Sequence, residues 1–578
     1  MTGTKKIVRR QTKAHVHSLP KDLHPVLARV YAARNVLNAD ELDCSLQRLH
    51  HPRQLKGIDP AVELLANVIQ SDKHIVVVAD FDADGATSCA LAIRALRAMG
   101  AKRVGYVVPN RFEFGYGLTP EIVRLAAQHR PDLLITVDNG IASVEGVKTA
   151  HEQDMAVLIT DHHLPGETIP PADAIVNPNQ GDDRFPSKCL AGVGVIFYVM
   201  LALRAYLREQ NWFEQASIVE PNLARLLDLV AVGTVADLVP LDRNNRVLVV
   251  QGLARINRGG ACAGIQALLK VAGSKGRDVT TTDLGFRVGP RLNAAGRLED
   301  MSLGIECLLT DKTQAAEEMA RQLDVLNRER RAIEADMQRQ ANEAIDALHL
   351  ESRRLPKGIC LFDPNWHQGI IGLVASRIKD RVHRPVIAFA PANETELKGS
   401  ARSIPGLHIR DALDAVATRH PDLLTRFGGH AMAAGLSLEH QHFKRFCDAF
   451  DEEVSHQLSD DDLEGKILTD GELVNEELTV ELASLLRSAG PWGQDFPEPV
   501  FDGQFEIVSK RVVGDRHLKL ALRYPGQNKV VEAIGFHLAS SGTAPDWPRT
   551  HAAYKLDVND YQGYQTLQLV IEHMEPVW

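Results

Sequence analysis

The sequence predicts a multidomain α/β protein: a parallel-sheet domain, a long connecting helix, a second α/β domain and a small C-terminal β-barrel. Three observations predict it. At 578 residues the chain exceeds what one hydrophobic core supports, because single cores stop growing near about 250–300 residues. From residue 74 to about 180, short apolar runs alternate with amphipathic stretches, the rhythm of a parallel sheet with crossover helices. After the charged stretch Ser459 to Glu464, closely spaced strand-like runs take over.

Taken in order, residues 1–50 read as a helical N-terminal extension and residues 51–300 as the first domain. Its expected strands are His74 to Ala79, Val104 to Val108, Leu133 to Val137, Ala156 to Thr160 and Ala174 to Val176. Between them Ala86 to Met99, Pro120 to His129 and Ser143 to Gln153 are long enough for crossover helices. The apolar stretch Leu190 to Leu203 stops at Arg204, short of the roughly 20 residues a bilayer needs, and reads as a buried helix. Within residues 301–352, Met319, Leu323, Leu326, Ile333, Met337, Ala341, Ala344 and Leu348 recur at helical intervals. That helix either joins two globular domains and leaves a cleft, or packs along one of them. A mixed α/β segment occupies residues 353–460. In residues 465–578 the runs His517 to Arg523, Val530 to Phe536, Ala552 to Val558 and Leu567 to Ile571 favour a barrel, with a β-sandwich as the alternative.

Composition narrows the function. The 44% hydrophobic and 24% charged fractions describe a packed protein. A net charge of −10 argues against gripping nucleic acid with the whole surface, so any such site is a local basic groove. Cys44, Cys89, Cys189, Cys262, Cys307, Cys360 and Cys447 form no CxxC pair, which fits neither a disulfide framework nor a zinc knuckle. Lys5, Lys6, Arg9 and Arg10 are followed by no apolar run, so a signal peptide is not expected and the cytoplasm is. No membrane association is expected.

The chemistry lies after the strands. Asp80, Asp82 and Asp84 in ADFDADG, Asp138 in TVDNG, and Asp161, His162 and His163 in TDHH each follow an expected strand. In open parallel sheets the carboxyl ends of the strands form the functional crevice, so the three clusters converge on one edge. Packed carboxylates repel one another unless a cation neutralises them. Asp237 in VGTVADLVPL sits in an apolar run, where an unpaired carboxylate is expensive. Carboxylates and imidazoles without thiolates suit Mn²⁺ or Mg²⁺, and there are enough ligands for two ions. Two such ions can share a carboxylate and clamp a phosphate during hydrolysis. Each cluster alone reads as a cap or a solvated loop; their shared position points to phosphoester hydrolysis.

DxDADG, VDNG, DHH and VADLVPL in this order resemble the four motifs of the DHH phosphoesterase family. PNRFEFGYGL, LAGVGV, GPRLNAAGRL, WHQGIIGLVASR, KGSARS, FGGHAMAAG and PWGQDFPEPVF are similar to its single-strand exonuclease branch, from about residue 50 to the end. The resemblance implies a DHH catalytic domain, a linker helix, a DHHA1 substrate-binding domain and an oligonucleotide-binding (OB) fold. It makes Asp82, Asp84, Asp138, His162 and Asp237 metal ligands, with Asp80 matching the motif's first acid. Asp138 is the expected bridge, and His163, the motif's last His, is expected either to bind metal or to hydrogen-bond the scissile phosphate or its leaving oxygen.

The same resemblance makes Arg111, Arg291 and Arg297 phosphate-binding candidates, and places His367, Arg377, Arg402, Gly428, Gly429 and His430 on the terminal nucleotide. The alternative for the arginines is pairing with acids. Tyr116 and Phe114 are candidate stacking faces, and Lys510, Arg511, Arg516 and Lys519 the basic candidates of the barrel. The implied activity is 5′-to-3′ exonucleolytic release of mononucleotides from single-stranded DNA in repair and recombination. The implied partners are single-strand-binding protein and a RecQ-type helicase, and the chain is expected to be a monomer. The rival readings are a phosphodiesterase of short oligonucleotides or cyclic dinucleotides, and a non-catalytic replication scaffold.

Overall fold

The structure is a computed structural model that describes residues 5–11, 19–109, 117–274, 276, 278–352, 355–514, 517–539, 546–561 and 564–577. It divides into two compact units, one of residues 11–327 and 478–499, the other of residues 1–10, 328–477 and 500–578. No helix among the described residues is long and apolar enough to cross a membrane.

The N-terminal segment departs from the helical expectation. It opens with strand β1 (Lys5–Arg9), followed by one two-turn helix, Pro25–Ala32, and short 3₁₀ turns. Lys5 to Arg9 carries branched apolar residues at its centre and pairs in parallel, far along the chain, with residues 465–469. The β-branched Ile7 and Val8 suit a strand, and the parallel pairing supplies its partner.

In the first unit, β2 (Ile75–Ala79), β3 (Val104–Val107), β4 (Leu133–Val137), β5 (Ala156–Thr160) and β6 (Ala174–Val176) form the expected parallel sheet. The order β3-β2-β4-β5-β6 reverses direction between β2 and β4. Both strands are buried along their whole length, as continuous apolar runs covered on both faces require. The core includes the apolar helix Gly192–Glu209, where Tyr198 packs edge-on against Phe185 at 5.0 Å.

The helix Thr313–Ser352 runs 40 residues, about 60 Å at 1.5 Å per residue. Its start lies in the first unit and its remainder in the second. There β7 (Ile359–Phe362), β8 (Val386–Pro391), β9 (Glu396–Arg402), β10 (Arg426–Gly429) and β11 (Ala433–Glu439) form a mixed sheet in the order β10-β11-β9-β8-β7. β12 (Gly465–Thr469) receives β1.

Of the two C-terminal alternatives, the barrel forms. β13 (Phe501–Val513), β14 (His517–Arg523), β15 (Val530–Gly535), β16 (Arg549–Tyr561) and β17 (Tyr564–Pro576) close in the order β13-β14-β15-β17-β16. Residues 478–499, within the expected C-terminal module, pack with the first compact unit. Tyr31 donates its hydroxyl to the Ala489 carbonyl at 2.7 Å, and Arg34 donates Nε to that of Pro497 at 2.7 Å. The indole of Trp492 stacks on Phe496 at 5.3 Å. These aromatic anchors had no periodicity to reveal them.

Asp502, 2% exposed, ties β1 to the barrel. It accepts from Arg9 Nη2 at 2.8 Å and from Thr469 Oγ1 at 2.6 Å, with His551 Nε2 at 3.3 Å. Burial disfavours its charge, but His551, Arg9 and Thr469 outweigh that and hold the carboxyl well below its usual range. Arg9→Ala is expected to weaken this tie by about 1 kcal/mol, discounted because the Arg9 side chain is half-exposed. Amide hydrogen exchange of residues 466–468 should then accelerate several-fold. Unaltered protection of β12 would show that Arg9 does not hold the strand.

Candidate metal centre

The sheet delivers the acids as a row. β2 and β4 pair from Ile75 with Leu133 to Ala79 with Val137, and β4 and β5 end together at Val137 and Thr160. The ladder continues one residue further. Asp80 N donates to Val137 O, Asp138 N to Thr160 O at 3.0 Å and Asp161 N to Val176 O. Asp80, Asp138 and Asp161 therefore stand on adjacent rungs, one strand spacing of about 4.8 Å apart. The reversal of strand order between β2 and β4 opens a crevice at this point. Asn139, 2% exposed, donates Nδ2 to both Val78 O and Val137 O and fastens the two strands at its floor.

Around this row the other ligands converge. Ligand atoms of Asp80, Asp82 and Asp138 lie within 4.8 Å of one another, as do those of Asp138, His162 and His163, and those of Asp84, His162 and Asp237. His162 Nε2 is 3.1 Å from Asp138 Oδ1 and 3.5 Å from Asp237 Oδ2. Asp138 and His162 each belong to two of the three groups. The six residues expected as ligands are thus brought together. Asp237 caps the C-terminal end of the helix Leu227–Ala236.

Tight backbone approach makes the crowding possible. A Cβ on Gly192 would stand 2.6 Å from Asp138 Oδ1, and one on Gly233 would stand 2.6 Å from Asp84 Oδ1. Gly296 of the LNAAG segment lets the helix Gly289–Leu298 approach Phe81 O, which a Cβ would meet at 1.8 Å. The helix Ala83–Ala98 starts inside the site: Asp82 Oδ1 accepts from Asp84 N and Gly85 N, and Asn293 Oδ1 accepts from Ala83 N. Asp84 in turn accepts from Gly192 N at 2.7 Å and Val193 N at 3.0 Å.

Asp161 has a different job from its neighbours. Its Oδ1 accepts from the backbone of His162 and His163 and lies 2.7 Å from His163 Nδ1; its Oδ2 accepts from Ile141 N. That bond fixes the ring of His163 and assigns Nδ1 as a donor. Asn177 Nδ2 donates to His163 O and Asn179 Nδ2 to His162 O, which pins the turn. Sequence reasoning passed over these asparagines and Asn139, whose only signal was their closeness to the motifs.

The electrostatics test whether divalent cations fit. Burial, then the charge of Asp82, pushes Asp84 up to about 7 despite its two backbone hydrogen bonds. Burial followed by the charges of Asp84 and Asp82 raises Asp138 and Asp237 well above the carboxylate range. Burial also works against charge on His163, but its hydrogen bond to Asp161 and the charges of Asp161, Asp80 and Asp82 win and raise it. An all-oxygen and imidazole donor set crowded to this degree fits hard divalent ions.

Of the residues expected on nucleic acid, Arg111, Phe114 and Tyr116, with Arg516 of the barrel, lie outside the described residues. Arg291 is 8% exposed and engaged by Asp324, Nε to Oδ1 at 2.9 Å, with Nη1 donating to Arg287 O. Arg297 lies in the last turn of the helix Gly289–Leu298. In the second unit Arg377, 60% exposed, is held by the buried Glu334 at 3.1 Å. Arg402 is largely buried, donates to Ser400 Oγ at 3.1 Å and Ala401 O at 2.8 Å, and is lowered by burial alone. His367 Nδ1 accepts from Gly369 N. Gly428 and Gly429 are strand residues of β10 paired with Gly435 and Ala434, and His430 N donates to Ala433 O at the turn that follows. Lys510 pairs with Asp546 and Lys519 with Glu532.

The raised acids set a pH dependence. Asp84 ionises near 3.8 when unfolded and near 7 when folded, so the fold holds a proton that the unfolded chain releases. Stability from this proton is fully present below about 3.8 and is lost as pH rises through about 7. In chelator the melting temperature is expected to fall between pH 5 and pH 8, and added Mn²⁺ to raise it more at pH 8 than at pH 5. Calorimetry at both pH values checks this, and equal metal stabilisation at both would contradict it.

Family models match in chain order: the DHH family, N-terminal domain, over residues 74–234; the DHHA1 domain over 356–456; and the RecJ OB domain over 469–573. The chain is 52% identical to the single-stranded-DNA-specific exonuclease RecJ of Dickeya dadantii, over 99% of both chains. It is 50% identical to that of Escherichia coli, again over 99% of both. The crystal structure of RecJ in complex with Mn²⁺ from Thermus thermophilus superposes with a TM-score of 0.79 at 29% identity, covering 99% of this chain and 80% of that one. A Mg²⁺ complex from the same organism gives 0.73 at 28% identity, covering 96% and 75%. With its acids and imidazoles gathered where the strand order reverses, and relatives matching from end to end, the chain belongs to the RecJ family of DHH proteins.

Proposed function

We propose that the chain is a metal-dependent, single-stranded-DNA-specific exonuclease that hydrolyses phosphodiester bonds from the 5′ end and releases 5′ mononucleotides. The observation that carries this is the convergence of Asp80, Asp82, Asp84, Asp138, His162 and Asp237 on one crevice. These residues would hold two divalent ions, Mn²⁺ or Mg²⁺, with Asp138 shared. Bound there, the ions supply Lewis-acid stabilisation of phosphate oxygens and lower the pKa of the attacking water.

The chain's own groups do the rest. His163, its ring fixed by Asp161, can offer its other ring nitrogen to a phosphate oxygen as charge builds there. Arg402, largely buried and hydrogen-bonded among the described residues to Ser400 Oγ and the Ala401 carbonyl, suits an anion brought by the substrate. Arg377 is exposed and braced by Glu334, ready for a phosphate. Arg291 fits the pairing alternative better, since Asp324 already occupies it. The names of the relatives, all single-stranded-DNA-specific exonucleases, support the substrate. We extend the reading to a role in repair and recombination beside single-strand-binding protein and a RecQ-type helicase. Seven free cysteines suit a reducing cytoplasm, and we propose a monomer.

The first test digests a strand labelled separately at each end, single or duplex, with Mn²⁺, Mg²⁺ or chelator. Metal-dependent release from the 5′ end of single strands alone is expected; activity confined to dinucleotides, or none with any ion, sinks the reading. Asp138→Asn should cut turnover more than about 100-fold yet raise the melting temperature in chelator at pH 8, because it removes a carboxyl whose ionisation burial and the neighbouring acids make costly. A variant both inactive and less stable would instead mean a damaged fold. Asp161→Asn, which releases the ring of His163, should lower kcat about 10- to 100-fold while metal affinity by calorimetry stays unchanged. A fall in metal affinity would place Asp161 among the ligands.

A further inference from the structure

Two large apolar side chains stand in solvent beside the metal centre, against the usual economics of burial. Leu238 directly follows the ligand Asp237 and is 70% exposed. Its φ of 60° lies in the left-handed region, where a bulky residue is strained. Phe286 is 73% exposed, and no other ring stacks on it among the described residues. It sits in a π-helical turn, Leu284–Val288, a form found mostly at functional sites. That turn is seated against the end of the helix carrying Asp237. A Cβ on Gly285 would lie 3.4 Å from Val235 Cγ1, and one on Gly289 would lie 3.2 Å from Ala236 Cβ. Two glycines thus bring the Phe286 turn onto the two residues that precede Asp237.

A strained leucine is a cost the fold sustains for no packing return, because its side chain is not buried. The phosphate cut at the metal centre lies within one nucleotide of two bases, and bases bring apolar faces that need cover. The adjacency of Leu238 to Asp237, and the seating of the Phe286 turn on Val235 and Ala236, select those bases as occupant over a second protein surface.

We propose that Leu238 and Phe286 form an apolar lip on the metal crevice that receives a base next to the scissile phosphate. This deepens the reading of the chain as a single-strand exonuclease and rests on it. Contact through the ring and the isobutyl group is indifferent to base identity, since every base has a flat apolar face. It disfavours duplex, whose bases are stacked and unavailable.

The test compares an ordinary single strand with one carrying abasic residues at its first two 5′ positions, in wild type, Phe286→Ala and Leu238→Gly. Glycine suits the backbone of Leu238, so this variant removes the side chain without asking the chain to refold around it. In wild type the abasic strand is expected to raise KM about tenfold, the size of one base on one aromatic ring. In the variants that penalty should shrink to about twofold or less, following double-mutant-cycle logic. Anisotropy of the same strands in chelator reads the same comparison as Kd without turnover. An abasic penalty that persists in full in both variants, or is missing from wild type, overturns the lip while leaving the exonuclease reading intact. A wild type that digests no single strand overturns the exonuclease reading itself.

Discussion

Mutual repulsion among buried carboxylates is the constraint on which this protein turns. Asp84, Asp138 and Asp237 share one crevice, and burial together with their neighbours' charge makes ionisation costly for each. A fold does not sustain such a cluster without a scaffold that prevents the acids from swinging apart. That scaffold is the parallel ladder, which fixes Asp80, Asp138 and Asp161 on successive rungs. The glycines at 192 and 233 close the remaining sides. The site is therefore preorganised for positive charge by backbone geometry, and the side chains have little freedom to relax.

Within that frame the acids have separated into roles by their hydrogen bonds. Asp82 divides itself between capping a helix and facing the crevice, and Asp84 is moderated by two backbone amides. Asp161, on the same row, is consumed by the two backbone amides of the histidine pair, the ring of His163 and the amide of Ile141. Position on the sheet makes a residue available; its bonding partners decide what it does. The two histidines differ in the same way: His162 faces Asp138 and Asp237, while His163 is turned toward Asp161.

Much of this was legible in the sequence because it is local. Strands β2 to β6 are continuous apolar runs, and the acids follow them directly, so period and position sufficed. The 40-residue helix announced itself by its repeat. What escaped depends on distant partners. The Lys5–Arg9 strand has no meaning without residues 465–469. Residues 478–499 join the first unit through Tyr31, Arg34 and Trp492, contacts with no sequence spacing to betray them. Arginines were the least legible class, since sequence cannot say whether a guanidinium meets Asp324 or a phosphate.

The pairing of Lys5 with Gly465 joins residues 460 positions apart, and this has a consequence for biosynthesis. At translation rates of about 5–20 residues per second, roughly 20–90 s separate the emergence of the two strands. Throughout that interval β1 is a strand without an edge to join, and within it strands β2 to β6 and Asp237 are made. The residues of the metal crevice, 80 to 237, thus all leave the ribosome before β1 can meet β12.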